Sequence, residues 1–140
     1  TVNATCFDAF RQRLQLTRAQ VFFGQELKIL PADIPNKSHA LRRTGWHSLW
    51  TPCIIKNTGK SAGCVIAFRR HLDAWLPPGA VATLFPGRLV FGFFHSSAIG
   101  VFVGYSVYLQ DGIGLAGVNL EVLQAFGQHV ASHGLPIICG

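Results

Sequence analysis

The sequence has 140 residues, of which 49% are hydrophobic and 13% charged, a composition that excludes a disordered chain and provides core material for one domain. The net charge of +6 is unevenly distributed, because all twelve Lys and Arg lie at or before Arg88. Residues 1–88 carry these twelve with four acidic side chains, and residues 89–140 carry only two acidic ones. A basic half favours a polyanionic partner such as nucleic acid; an ordinary basic surface is the alternative.

The sequence contains no methionine, and it ends in the apolar residues 135–140, which are typical of a strand. We interpret residues 1–140 as part of one domain within a longer protein. The four cysteines lie far apart and lack the paired spacing of a zinc site, so buried free thiols are predicted. This cysteine usage favours an intracellular, reducing compartment, the nucleus included.

Helical and strand patterns alternate along the chain and predict a mixed α/β fold. The first predicted elements are a strand tail at 1–3, a helix that begins at Thr5 or Asp8, a strand at 21–24, a helix at 33–43 capped by Asp33, and a strand at 46–55. The later ones are a turn at 57–61, a strand at 62–68, short strands separated by Pro-Gly pairs, strands at 89–94 and 99–109, a loop at 110–117, a helix at 118–132 and a strand at 135–139.

Residues 89–110 contain no charged side chain and have the length of a membrane-spanning helix. The polar triplet His95-Ser96-Ser97 interrupts this stretch, and its many Val, Phe and Tyr residues are typical of strands. Two core strands joined by a turn therefore explain the segment better, and no membrane partner is expected.

The apolar residues 21–24 end abruptly in Gln25 and Glu26, and Glu26 is one of only two glutamates in the chain. An ionised carboxylate is costly to bury unless it is paired or binds a metal. Strand ends are also where α/β proteins place their chemistry. We therefore predict that Glu26 is a metal ligand; the alternatives are that it caps the next turn or pairs with Lys28.

Four features follow one another in the chain. They are Asn3 followed by a helix and a strand that ends in Gln25-Glu26, a strand at 62–68 that leads to Arg69 and Arg70, a strand at 103–109 with Tyr108, and Asn119-Leu120 ahead of the run 135–140. Together they resemble the endonuclease/exonuclease/phosphatase superfamily, which has the deoxyribonuclease-like fold. The similarity extends over essentially the whole chain and is greatest to the endonuclease-like domains found beside reverse transcriptases in mobile elements.

The resemblance implies a four-layer α/β/β/α sandwich that is incomplete at the carboxyl end, since the family's Asp-x-Asn motif and Asp-His pair would follow Gly140. It implies hydrolysis of a phosphoester assisted by Mg²⁺ or Mn²⁺. Glu26 and Asn3 would hold the metal, and Tyr108 would donate a hydrogen bond to the phosphate. Residues 1–140 alone should be inactive, because the groups expected to activate the water are missing.

The resemblance assigns phosphate positioning to Lys28, Arg69 and Arg70, although basic residues at a strand end are most often solvated. The preferred function is an endonuclease that acts on nucleic acid, with DNA favoured over RNA. The alternatives are a non-catalytic nucleic-acid-binding module or decayed mobile-element remnant, and a phosphatase of the same superfamily. The alternative is that both residues are purely structural, Asn3 as a turn residue and Tyr108 as a core aromatic.

Two histidines are expected to be structural. His129 and His133 have the i, i+4 spacing of helical metal ligands, but no Glu lies between them and they fall at the carboxyl end of a helix, where cations are favoured anyway. Tyr105 is three residues from Tyr108 and should face the other side of the sheet.

Overall fold

The computed structural model describes residues 2–3, 7–57 and 59–140, with the backbone alone for residues 2–3. The predictions made for Thr1 and Thr5 fall outside this part of the chain. The strands are β1 (Val2–Asn3), β2 (Val21–Gln25), β3 (Trp46–Thr51), β4 (Ile54–Lys56), β5 (Gly59–Ser61), β6 (Cys64–Arg69), β7 (Asp73–Trp75), β8 (Thr83–Phe85), β9 (Leu89–Ser96), β10 (Gly100–Val107) and β11 (Ile137–Cys139). The helices are α1 (Phe7–Leu16), α2 (Ile34–Arg42) and α3 (Val118–Ala131), with a 3-10 turn at Pro31–Asp33.

Two mixed sheets contain most of these strands. The first has the order β1-β2-β6-β3, with β1 parallel to β2 and the other neighbours antiparallel. The second has the order β11-β10-β9-β7, with β10 parallel to β11 and with β8 also paired to β9. Strands β4 and β5 form a separate hairpin. The carboxyl ends of β1 and β2 therefore lie at one edge of the first sheet, and those of β10 and β11 at one edge of the second.

Three apolar clusters hold these elements together. Phe10 of α1 packs with Val65 on one face of β6, whereas the next residue, Ile66, packs with Phe94 of the second sheet. This difference follows from the alternation of side chains along a strand. Helix α3 covers the other face of the second sheet through Val122. Strand β6 is thus buried on both faces, which explains its unbroken apolar sequence, and the predicted mixed α/β class is confirmed.

The single strand predicted at residues 46–55 is wrong. Strand β3 ends at Thr51, and a break that begins with Pro52 separates it from β4. Proline lacks the amide hydrogen that a sheet ladder requires. The Thr51 hydroxyl instead accepts a hydrogen bond from Gly87 N at 2.7 Å, so the chain leaves the sheet there. The turn predicted at 57–61 is correspondingly shorter, because β5 pairs with β4.

The predicted cap at Asp33 is also corrected. The Asp33 side chain makes no capping hydrogen bond, and its backbone is already helical, with φ −88° and ψ −19°. The 3-10 turn that begins at Pro31 leads directly into α2, so the Asp33 backbone continues a turn that has already formed.

The two strands predicted at residues 89–94 and 99–109 are confirmed as β9 and β10, which pair antiparallel from Gly100↔Ser96 to Val107↔Leu89. Within the described ranges, no helix combines the length and the apolar character needed to cross a bilayer. Three described cysteines are free, as predicted. Cys53 and Cys64 are buried, whereas Cys139 is exposed, which corrects the prediction that the thiols are buried.

Candidate active site

The carboxyl ends of β2 and β10 meet where the two sheets pack together. Ser106 Oγ donates a hydrogen bond to Gly24 O at 3.3 Å, and Gln25 Nε2 donates one to Val107 O. Each bond joins residues that are 82 positions apart in the sequence. The two strands are therefore in register across the sheets, and the residues that follow them emerge at the same edge.

Position 24 has to be glycine for β2 to lie here. A Cβ atom at Gly24 would be 2.6 Å from Phe10 Cε2 and 2.8 Å from Val65 Cγ1, both of which belong to the packed interior. The missing side chain allows α1 to approach the strand closely. This close packing fixes the position of β2 and therefore the position of the polar residues that follow Gly24.

Glu26 and Tyr108 are paired at this edge. The Tyr108 hydroxyl donates a hydrogen bond to Glu26 Oε1, and both side chains are half-buried. Burial, followed by the hydrogen bond and charge of Glu26, raises the pKa of Tyr108 to about 12. The phenol therefore remains a proton donor at neutral pH. Among the described residues no ion pair joins Glu26 to Lys28, so that alternative interpretation of Glu26 is not supported.

The backbone around Glu26 is strained. Glu26, Lys28 and Ala62 have φ angles of 55°, 53° and 61°, a left-handed conformation that residues other than glycine seldom adopt. Two backbone hydrogen bonds hold it, Leu27 N to Gly63 O at 3.2 Å and Lys28 N to Ala62 O at 3.3 Å. Leu27 is buried while its neighbours on either side are only half-buried. Strain of this kind clusters at functional sites, where the surrounding structure maintains it.

Arg88 also belongs to this site, although no role was predicted for it. Its guanidinium carbon lies 5.2 Å from the centre of the Tyr108 ring, and its Nη2 donates to Gln110 Oε1 at 3.2 Å. Asn119 fixes residue 110, because its amide accepts from Gln110 N at 2.7 Å and donates to Gln110 O at 2.9 Å. The sequence signal was an arginine directly before the apolar residues 89–94.

The structure brings some of the predicted site residues together. The backbone of Asn3, at the end of β1, pairs in register with Gln25, beside Glu26. Lys28 follows Glu26 by two residues at the same edge. Gly140 O accepts a hydrogen bond from Val107 N at 2.9 Å, so the chain after β11 also reaches this edge.

Arg69 and Arg70 lie at the opposite edge, which corrects their predicted grouping with Glu26. Strand β6 is antiparallel to β2, so its carboxyl end is about 20 Å from Glu26 by the rise of a strand. Arg69 Nη2 donates to Thr17 O at 3.0 Å, and its guanidinium carbon lies 4.1 Å from the centre of the Trp46 ring. Arg69 is thus engaged in packing at that end.

The oxygen atoms at the Glu26 edge suit a hard cation. Within the described residues there is no cluster of three or more His, Cys, Asp and Glu side chains. Glu26 supplies one carboxylate, and the neighbouring Tyr108 stays protonated and acts as a hydrogen-bond donor. Mg²⁺ is bound by one or two carboxylates and keeps several waters. The residues present therefore fit Mg²⁺ or Mn²⁺ and lack the nitrogen and sulfur ligands that zinc prefers.

Comparison with solved structures identifies the fold. One similar structure is the AP endonuclease LMAP from Leishmania major, with a TM-score of 0.55 and 18% identity over 89% of this chain and 41% of that one. Another is ANGEL2, a 2',3'-cyclic phosphatase, with a TM-score of 0.56 and 12% identity over 90% of this chain and 37% of that one. The chain has the deoxyribonuclease-like fold. No family model and no curated protein sequence matches it.

The present chain spans about two fifths of the length of each of these two structures. At such low identity the likeness concerns the fold alone. The deoxyribonuclease-like fold that the resemblance implied is confirmed. The similarity to mobile-element domains stays a prediction.

In this deoxyribonuclease-like fold Tyr105 lies on the face of β10 that α3 covers. His133 Nδ1 accepts a hydrogen bond from Leu135 N at 3.4 Å, which leaves its Nε2–H to donate to the Tyr105 hydroxyl at 2.7 Å. The hydroxyl in turn donates to His129 Nδ1 at 2.6 Å. The two histidines thus bind a phenol between helix and sheet.

Acidification is expected to destabilise this contact. Burial, and then the proximity of His133, lower the pKa of His129 from its ordinary value of 6.5. The unfolded chain therefore binds a proton more readily than the folded one, so stability falls as the pH drops through 6.5 toward the lower folded pKa. Protonation at Nδ1 would also remove the acceptor for Tyr105.

Urea unfolding at pH 7.5 and pH 5.0 measures this effect, with a lower midpoint expected at pH 5.0. Other groups titrate in the same range, so the decisive comparison is with His129→Gln, which should show a smaller pH-dependent shift. Tyr105, His133 and Cys139 are the titratable groups close to His129 and its phenol partner, and all three remain in that variant. Equal shifts in both proteins would contradict the assignment.

A cavity of about 450 Å³ opens at the other ends of the strands, far from Glu26, and is lined in part by His71, Asp73 and His95. Within it, His95 Nδ1 lies 3.9 Å from Asp73 Oδ2, and these side chains are 50% and 86% exposed. Exposed contacts of this kind contribute little to stability. The chemistry is therefore better supported at the Glu26 edge.

Proposed function

We propose that this chain is part of a metal-dependent phosphoesterase domain, and that its preferred substrate is a nucleic-acid phosphodiester. The observation that carries the proposal is the Glu26–Tyr108 pair at the joined ends of β2 and β10. A carboxylate and a protonated phenol are held together on a strained, hydrogen-bonded backbone. The fold shared with an AP endonuclease and a 2',3'-cyclic phosphatase supports the same reaction class.

In the proposed mechanism Glu26 holds a Mg²⁺ or Mn²⁺ ion, with Asn3 beside it. The bound ion would supply Lewis-acid stabilisation of the charge on the phosphate and leaving oxygen. Tyr108 is protonated at neutral pH because its pKa is about 12, and its one O–H, which donates to Glu26 here, would turn from Glu26 to a phosphate oxygen of the bound substrate. The side chain of Lys28, two residues from Glu26, positions the phosphate as a point charge.

The proposed partner is nucleic acid because the basic residues are concentrated in residues 1–88. Phosphate contacts by Lys and Arg supply most of the sequence-independent affinity for DNA and RNA. We favour DNA as the substrate. The water-activating groups that the resemblance places after Gly140 would enter at the same edge, because Gly140 is hydrogen-bonded to Val107 there.

The test is hydrolysis by the longest natural protein that carries this sequence. Glu26→Gln is expected to lower cleavage of a DNA substrate by roughly 100-fold or more, because it removes the charge that holds the cation. Removal of divalent ions with EDTA should abolish cleavage in the same assay, and Mg²⁺ or Mn²⁺ should restore it. The matched control is Glu121→Gln, at the only other glutamate, which is exposed on α3.

Equal activity of Glu26→Gln and Glu121→Gln would contradict the proposal. Cleavage that persists in EDTA would contradict the metal-dependent mechanism. Retention of DNA affinity without any cleavage, under all metal conditions, would instead identify a nucleic-acid-binding module.

A phosphatase is the second candidate, and the similarity to a 2',3'-cyclic phosphatase favours it. The same protein should be assayed on a DNA duplex, an RNA strand and a 2',3'-cyclic nucleotide. Hydrolysis of the cyclic nucleotide alone would assign the phosphatase function. If the polymers are cleaved, the ratio of kcat/KM for DNA and RNA would show which nucleic acid is the preferred substrate.

A further inference from the structure

We infer that Arg88 is a positioning residue of this site, and that the site uses its uncompensated buried charge. The inference rests on the proposed function, because it concerns the charge that would develop beside Glu26 and Tyr108. It assigns to Arg88 a role in ordering and polarising the phenol, without contact between Arg88 and the substrate.

Arg88 is buried at a cost to stability. Only 2% of its surface is exposed, and Nε and Nη1 have no hydrogen-bond partner among the described residues. Its single side-chain hydrogen bond is to the neutral Gln110 amide, and no carboxylate of the described chain lies within ion-pair distance of it. A buried cation that is neither paired nor fully hydrogen-bonded lowers the stability of a fold.

The contacts of Arg88 converge on Tyr108. Its carbonyl oxygen accepts the backbone hydrogen bond of Tyr108 N at 2.8 Å, and its guanidinium faces the Tyr108 ring. Backbone and side chain together therefore hold the one residue whose hydroxyl donates to Glu26. Gln110, the hydrogen-bond partner of Arg88, is itself held by the two hydrogen bonds between its backbone and the Asn119 side chain.

A fixed positive charge in a weakly polarisable interior acts over several ångströms. Here it lies over the Tyr108 ring, 5.2 Å from the ring centre, so it favours negative charge that develops beside this phenol, where Glu26 and a phosphate would lie. Charges and dipoles arranged before the reaction are effective in catalysis because they need no reorganisation. The charge that weakens the fold would therefore strengthen the site.

Three variants test this inference in the longest natural protein with this sequence. Arg88→Met removes the charge but keeps an apolar side chain; we expect an equal or higher melting temperature, a fall in kcat of roughly 10- to 100-fold and a smaller change in KM. Arg88→Lys keeps the charge and should retain more of kcat than Arg88→Met. Gln110→Glu leaves Arg88 in place but puts a carboxylate beside its guanidinium, which compensates the positive charge. This variant should therefore have a higher melting temperature and a lower kcat.

Leu89→Ala is the control for stability, since the neighbouring Leu89 is fully buried and packs with the α3 cluster. It should lower the melting temperature and leave kcat unchanged at a temperature where it is folded. Wild-type kcat in Arg88→Met would overturn the inference, and so would a fall in its melting temperature as large as that of Leu89→Ala. If Arg88→Met does not fold, Gln110→Glu decides: an unchanged kcat overturns the inference.

The failure of this inference differs from the failure of the proposed function. If Glu26→Gln is inactive and Arg88→Met is fully active, the phosphoesterase proposal stands and the role of Arg88 is contradicted. Glu26→Gln fully active would contradict the proposed function itself.

Discussion

Replacing Leu14 by alanine is expected to lower the free energy of unfolding by about 3 to 5 kcal/mol. Leu14 has no exposed surface and packs in the cluster between α1, α2 and the first sheet, so its loss leaves a cavity that the rigid strands cannot close. Urea denaturation monitored by tryptophan fluorescence measures the change, because Trp46 lies in the same cluster.

Leu16→Ala is the matched control, since it removes the same atoms from the same helix two residues further on. Leu16 is 82% exposed, and its replacement should change the unfolding free energy by less than about 0.5 kcal/mol. Similar losses at both positions would show that α1 does not present the Leu14 face to the sheet.

In the longest natural protein with this sequence, replacing Tyr108 by phenylalanine is expected to reduce the proposed phosphoester hydrolysis roughly 100-fold, the cost of removing one donor from a developing negative charge. The ring and its contact with Arg88 would remain, so little else should change. Steady-state kinetics should place the loss mainly in kcat. A loss confined to KM would mean that the hydroxyl contributes only to binding of the ground state.

Tyr105→Phe is the matched control, because it removes the same hydroxyl group from a tyrosine on the other face of β10. It removes the hydroxyl that His129 and His133 share, so the protein should lose about 1 to 3 kcal/mol of stability while kcat stays unchanged. If the two substitutions had the same effect on kcat, the assignment of the two faces of β10 to chemistry and to packing would be wrong.

The position of the Glu26 edge was predictable from the sequence for a physical reason. A short apolar run that ends in polar residues indicates a buried strand with its end at the surface, and both β2 and β10 have this pattern. The partner of Glu26 was not predictable in the same way. The hydrogen bond from Tyr108 depends on how two sheets align across 82 residues, and nothing in the local pattern specifies that register.

The errors have equally specific causes. Arg69 and Arg70 follow a strand, but their location depends on whether that strand is parallel or antiparallel to β2, which residue periodicity does not report. The break after β3 was signalled by Pro52, whose missing amide hydrogen outweighs an apolar alternation that continues past it. Arg88 was missed because its burial arises from contacts with Tyr108 and Gln110, both about 20 positions later in the chain.

The separation of 82 residues between Glu26 and Tyr108 also sets an order of events during synthesis. At typical translation rates Glu26 is made about 4 to 16 s before Tyr108. Over that interval the carboxylate has no phenol beside it, and the first sheet lacks the second sheet that covers one of its faces. The edge that holds the proposed chemistry therefore assembles only after residue 108 has been made, and its intactness reports that both sheets have docked.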